Sequence, residues 1–235
     1  MKVVKDERYT GGTPFINLIE VSGLKGALHG MRNPLNSWRL SDTTDILIGE
    51  NDLRLCKNLI KGGAEHRKFL RMIHVQFDLN LPRYLWSEFD TYKVGTVANS
   101  CSTMHKIQEK EFTLDDFSHE HLVKTNLLDI IINDLNSNRT IYNDYDNQSD
   151  EFKAKFSKKD VWWQMIQLLP SSYNQTRNVM LNYEVLSNMY HSRKNHKLDE
   201  WREFCKWIEE LPLCDLITHN MRKVSESDNR KEGNE

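Results

Sequence analysis

No apolar run in this sequence approaches the roughly 20 residues that a membrane-crossing helix needs, so no membrane span is expected. A charge excess is missing too. The chain carries 32 Lys and Arg against 34 Asp and Glu, so a bulk polyanion such as nucleic acid is not indicated as a partner. Cysteine is scarce: Cys56, Cys101, Cys205 and Cys214 show no CxxC spacing, which argues for reduced thiols in a cytoplasmic protein and against a zinc site. His119 and His121 lie close together, but no carboxylate or thiol pattern makes them metal ligands. The opening residues MKVVKDERYTGG are too polar for a secretory signal. There is no strand followed by Gly-x-Gly-x-x-Gly, no P-loop, no His-Glu-x-x-His and no Gly-x-Ser-x-Gly.

What is present is ordinary globular material. The chain has 235 residues, 38% hydrophobic and 28% charged, enough for one substantial domain with its own core. That domain is expected over 1–221. Residues 222–235 are charged, lack large apolar side chains after Val224, and read as a disordered tail.

Residues 15–21 read as a strand, bounded by the turn formers at 11–14 and by Gly23. Over 22–45 turn formers dominate. There Asn36, Ser37, Trp38 and Arg39 form either a ligand wall or a surface loop with Trp38 tucked into the core. A helix capped by Asn51 or Asp52 runs to Lys61, with Leu53, Cys56, Leu59 and Ile60 on one face and Gly62-Gly63 as its stop. From 69 to 79 apolar residues fall on alternate positions (Phe69, Ile73, Val75, Phe77, Leu79), the period of a half-buried strand. Pro82 suits the first turn of a short helix with Leu85, Trp86 and Phe89 inward. Residues 94–104 then read VGTVANSCSTM, a loop of small, hydroxyl and amide residues of the kind that offers donors to a phosphate or a ring.

Further on, 107–136 looks partly helical, with Leu122, Leu127, Ile130 and Ile131 as core, and the Asn- and Asp-rich 137–150 reads as a loop. Val161, Trp162, Met165, Ile166 and Leu169 make a helix face that Pro170 ends. A long helix over 175–192 carries Val179, Tyr183, Leu186 and Tyr190 on one stripe, which Arg193 extends. A guanidinium at the end of such a stripe needs an anion, either a nearby carboxylate or a ligand. A final helix over 198–208 turns Leu198, Trp201, Phe204, Cys205 and Ile208 inward.

The chemistry these residues support is mainly binding. The hydroxyls of Ser100, Ser102 and Thr103 and the amide of Asn99 suit hydrogen bonds to a nucleotide. No base is fixed beside Ser100, Cys101 or Ser102 by spacing, although His105 follows Ser102 by three positions. Tyr92 and Trp86 serve either as stacking platforms or as core aromatics.

Two segments resemble the flavin-dependent thymidylate synthases. The first holds Glu65-His66, then a strand, the Pro82 helix and the serine segment, at the family's distances. The family's Arg-His-Arg triplet is replaced by Asp90-Thr91-Tyr92 or, with one extra loop residue, by Thr91-Tyr92-Lys93. The second holds Leu169-Pro170, Tyr173, Asn182, Leu186 and Arg193 at the family's spacing, with Trp201 beyond. There the family's His-Ala-Gln segment is replaced near Lys197-Leu198-Asp199, and Glu184 stands where the family has a phosphate-holding arginine.

The resemblance covers roughly 15–215 and implies an α/β (α+β) fold, with a central mixed or antiparallel sheet and long helices, assembled as a homotetramer. It implies that FAD takes hydride from NADPH, and that a one-carbon unit passes from methylene-tetrahydrofolate to dUMP or a related pyrimidine nucleotide. Arg193 would contact the pyrimidine as the catalytic residue. Ser100, Ser102, Thr103, Asn99, Arg177 and Lys197 would hold the nucleotide, with Arg177, Lys194 or Lys197 making up for Glu184. His66, Thr91, Tyr92 and Lys93 would face the cofactor. A relative that keeps the fold and a nucleotide pocket without the redox chemistry is the alternative.

Overall fold

The computed structural model describes residues 15–44 and 48–219. The turn formers at 11–14 and the charged tail at 222–235 lie outside these residues. In order, the elements are β1 (Phe15–Ser22), α1 (Leu24–Gly30), α2 (Glu50–Lys61), β2 (His74–Pro82), α3 (Arg83–Phe89), β3 (Val97–Ser100), α4 (Thr103–Lys106), α5 (Asn126–Asn143), α6 (Asp150–Lys155), α7 (Lys158–Leu168), β4 (Asn174–Asn182), α8 (Tyr183–Arg193), α9 (Asp199–Ile208) and α10 (Asp215–Thr218). The mixed α/β class is as expected. Two compact units emerge. One takes the described part of Met1–Glu20 with Gln76–Met180; the other takes Val21–Val75 with the described part of Leu181–Glu235.

The first unit is built on a four-stranded sheet of order β1-β2-β4-β3. Alternation in β2 buries Phe77, Leu79 and Leu81 and turns Gln76, Asp78 and Asn80 to the other face. On that polar face the Asn178 amide donates to Asp78 and accepts from Gln76, each at 2.8 Å, and the Thr176 hydroxyl donates to Asn80 at 3.1 Å. Pairing 78 with 178 and 80 with 176 runs β2 and β4 in opposite directions. β3 is antiparallel to β4, with Ser100 opposite Arg177.

Strand pairing overrides local propensity at three places. The alternation begins as a strand only at His74; Lys68–Met72 is a 3-10 turn that buries Phe69 and Leu70. The expected helix over 175–192 is two elements, strand β4 and then helix α8. Asn182 marks the change: its Oδ1 accepts from the Val185 amide at 3.0 Å and caps α8. The small-polar segment is likewise no plain loop, because 97–100 is the edge strand β3 and Ser102 caps α4.

The second layer of this unit is α5 packed on α7. Leu128, Ile132 and Leu135 of α5 join Met165, Leu169, Phe112 and Phe117 in one core cluster. Of the expected core residues, Leu127 and Ile130 are exposed on another side of α5 and Leu122 is exposed ahead of it, while Ile131 packs against the cluster. The Asn-rich stretch extends α5 to Asn143 instead of looping. There Thr140 Oγ1 and Asn138 Nδ2 donate to carbonyls four residues back, so these side chains bond along the helix without breaking it.

In the second unit α8 packs against α9, α10 and the Lys68–Met72 turn, and α1 packs on the same turn. Gly23 opens α1 at φ 83°, where a Cβ would lie 2.1 Å from the Met72 carbonyl oxygen. Trp201, Phe204, Cys205 and Ile208 are buried as expected, and Trp207 joins them. Trp38 is not a core residue: it is exposed, stacks on His29, and donates its indole N–H to Asn33 at 2.7 Å. The α2 cap is Gly49, leaving Asp52 buried as the acceptor for Arg32, Ser41 and Thr43.

Candidate functional site

The first unit opens a cavity of about 610 Å³ between α3, the end of β3, the start of α4 and the start of β4. Ser100, Ser102, Thr103 and Arg177 all line it, so four of the six side chains expected to hold a nucleotide share one space. A smaller cavity of about 250 Å³ shares Ser102, Thr103 and Gln175 with it and adds Asn80, Cys101 and Tyr173. Asn99 is exposed on β3 opposite Asn178 and lines neither cavity.

Sheet pairing fixes the serines. The Cys101 amide donates to the Thr176 carbonyl at 3.0 Å, continuing the β3–β4 ladder past Ser100. The Gln175 side chain then ties the segment down by donating to the Cys101 carbonyl at 3.0 Å. Ser102 Oγ caps α4 by accepting from the His105 amide at 3.2 Å and lies 2.7 Å from His105 Nδ1. Both side chains are exposed, and the contact is that of a helix cap closing on its own first turn.

Arg177 is the cavity's organised cation. Its guanidinium lies over the Trp86 ring, 4.1 Å from the centroid. Nε donates to Gln175 Oε1 at 3.2 Å and Nη1 donates to Asp90 Oδ1 at 2.8 Å. Trp86 is in turn held by its indole N–H on the Gln175 carbonyl at 2.8 Å. A helix over 175–192 gives no reason to set Gln175 and Asp90 beside Arg177; strand β4 does. As a strand it puts residues 175 and 177 on one face, with α3 and Asp90 packed against them. In the smaller cavity Tyr173 keeps its phenolic proton, since burial, then Asp116, pushes its pKa up.

The second unit holds the other expected residues. His66 lines an apolar cavity of about 610 Å³ with Arg32, Arg54, Phe69 and Met72. Arg193 lies 4.9 Å from the Trp201 ring centroid, and its Nη1 is 3.0 Å from His196 Nε2. Lys197 is exposed and gives its carbonyl to Arg202. Glu184 is buried beside Arg67, with Nε donating to Oε1 at 3.1 Å. His219 reaches Ser187 Oγ at 3.1 Å and packs 4.6 Å from the His191 ring. Burial, then His191 and Arg67, lower its pKa to about 4. Among the described residues no group of His, Cys, Asp and Glu could hold a metal ion.

Two solved structures share this architecture. One is thymidylate synthase X from Helicobacter pylori with FAD and dUMP, at 16% identity and a TM-score of 0.61, over 86% of this chain and 95% of that one. The other is flavin-dependent thymidylate synthase from the same organism complexed with FAD and dUMP, at 17% identity and a TM-score of 0.60, over 84% and 93%. The fold is that of the flavin-dependent thymidylate synthases. No protein-family model matches the chain, and no curated protein matches it either.

Residues 91–93 are the ones that the resemblance sets beside a flavin. A dinucleotide brings two phosphates, and 91–93 offers one cation, Lys93. Thr91 Oγ1 donates to the Glu88 carbonyl of its own turn at 2.6 Å, and the Tyr92 carbonyl accepts from Thr96 Oγ1 at 2.8 Å. Lys93 is thus the one side chain of 91–93 suited to a phosphate.

Proposed function

We propose that the protein binds a pyrimidine nucleoside monophosphate of the dUMP kind in the first unit's large cavity. One observation carries this reading: Ser100, Ser102, Thr103 and Arg177, spread over some eighty positions of sequence, line the same 610 Å³ space. That volume is in the ordinary range for a small-ligand site, about 300–1,000 Å³. Arg177 supplies the phosphate's cation, and the hydroxyls of Ser102 and Thr103 supply donors for phosphate or sugar oxygens. Trp86 fixes the guanidinium plane from beneath.

A second reading is favoured by the likeness to structures holding FAD and dUMP and by His66 in a cavity of the second unit. Here the nucleotide is a substrate for one-carbon transfer from methylene-tetrahydrofolate, with FAD and NADPH as redox partners, in a homotetramer. Arg193 then contacts the pyrimidine, and His66 and Lys93 face the cofactor.

Calorimetric titration with dUMP, together with the visible spectrum of the purified protein, tests both. The first reading expects saturable dUMP binding that Arg177→Ala weakens about tenfold or more. Absence of dUMP binding overturns it. The second reading expects flavin absorbance, either as purified or after adding FAD; a colourless protein that ignores FAD removes it and leaves the first intact.

A further inference from the structure

The phosphate-facing edges of Arg177 are both half-occupied by the protein itself. A guanidinium offers a planar fork in which Nη2 belongs to two edges, one shared with Nε and one with Nη1. Nε is taken by Gln175 at 3.2 Å and Nη1 by Asp90 at 2.8 Å. Nη2 makes no hydrogen bond with the described residues, and Nη1 keeps a second N–H beside its bond to Asp90. A phosphate that pairs with Nη1 and Nη2 therefore meets the Asp90 carboxylate on the same nitrogen, and like-charge repulsion favours withdrawal of Asp90.

The two partners are not equivalent. Gln175 is held at both ends of its amide, because its Nε2 also donates to the Cys101 carbonyl at 3.0 Å and its backbone carbonyl accepts the Trp86 indole. Asp90 sits past the end of α3 with its side chain 57% exposed, whereas that of Arg177 is 18% exposed. Asp90 is therefore the partner that can swing into water, and its carboxylate carries the same sign as the incoming ligand.

We propose that Asp90 is a built-in competitor for Arg177: its carboxylate occupies the anion seat of the cavity and is displaced by a dianionic phosphate monoester. This rests on the nucleotide-binding reading above. Resting, the Asp90–Arg177 pair is neutral, and Arg83 on the cavity wall carries the remaining positive charge. A phosphate monoester, with up to two charges and three oxygens, outcompetes a single carboxylate; an unphosphorylated nucleoside offers nothing to exchange. Asp90 thus tempers the site's affinity for phosphorylated ligands and leaves that for an unphosphorylated nucleoside untouched, and Trp86 holds the guanidinium flat through the exchange.

Calorimetry with dUMP and with deoxyuridine, on the wild type, Asp90→Asn, Arg177→Ala and the double variant, tests the inference. An ion pair with one exposed partner corresponds to about fivefold in binding, so Asp90→Asn is expected to tighten dUMP by about fivefold and leave deoxyuridine unchanged. In the Arg177→Ala background the Asp90 substitution should give no gain. If Asp90→Asn binds dUMP no better than the wild type, or more weakly, Asp90 positions Arg177 and does not compete for it; the inference fails and the nucleotide reading stands. If no variant binds dUMP, the nucleotide reading itself has failed.

Discussion

Arg67 straddles the carboxylate of Glu184, hydrogen-bonded to Oε1 at 3.1 Å with Oε2 at 3.0 Å. The family resemblance implies that Glu184 reverses the charge at a phosphate-holding position. In the second unit it is instead one half of an ion pair whose side chains are 17% and 10% exposed. The cation follows directly on Glu65-His66, so the resemblance motif and the replaced arginine belong to one local arrangement.

Removing one half of that pair strands the other. Glu184→Ala should cost about 3 kcal/mol in denaturant unfolding, whereas the paired change Arg67→Met with Glu184→Leu should cost much less. Glu184→Arg, which restores the residue the resemblance expects, should destabilise further by setting two guanidinium groups against each other. If Glu184→Arg is as stable as the wild type, the pair does not organise this region.

Asp52 is a second buried anion, and both of its carboxylate oxygens are hydrogen-bonded. It accepts from Arg32 Nε at 2.6 Å, Ser41 Oγ at 2.7 Å and Thr43 Oγ1 at 2.6 Å. Burial alone would raise its pKa; Thr43, Ser41 and Arg32 outweigh that and hold it below the usual carboxylate value. A lowered carboxyl pKa contributes stability above the unfolded value and loses it as pH falls through the folded one. Asp52→Ala is expected to cost about 3 kcal/mol at neutral pH, read from the urea midpoint at unchanged slope.

His219 predicts a separate acid sensitivity. Its pKa is about 4 in the folded chain against an ordinary 6.5, so the unfolded state binds the extra proton between those values. Stability therefore rises with pH across that window and falls as pH drops from about 6.5 toward 4. The melting temperature should decline over this range in the wild type, and His219→Gln should show a shallower decline. Identical slopes in the two proteins would remove the assignment.

Arg193→Ala separates a structural from a ligand role. Losing the contact with Trp201 should cost about 0.5–1 kcal/mol and leave the fold intact. Under the one-carbon transfer reading dUMP affinity falls as well. Collapse of thermal stability would make Arg193 a structural residue alone.

How much of this was legible in the sequence depends on the interaction that decides each element. Helices α2, α7 and α9 follow local periodicity and stand where their apolar stripes put them. Strand β4 was not legible, because residues 174–182 are strand only by pairing with β2 and β3, and their pattern of one exposed Met180 between Val179 and Leu181 also fits a helix face. The α5 stripe was read one residue out of phase for a similar reason: Leu127, Leu128, Ile130, Ile131 and Ile132 give two candidate faces, and only packing on α7 chooses between them. The serines and Arg177 were visible as residue types. Gln175 and Asp90, which set the state of Arg177, emerge only once strand and helix are brought together.

The most direct measurement is a crystal structure of the protein grown with dUMP. The account predicts density for the nucleotide in the first unit's cavity, with its phosphate within hydrogen-bond distance of the Arg177 guanidinium and of Ser102 or Thr103. Nucleotide density elsewhere, with Arg177 still paired to Asp90 across a cavity holding only water, would contradict it.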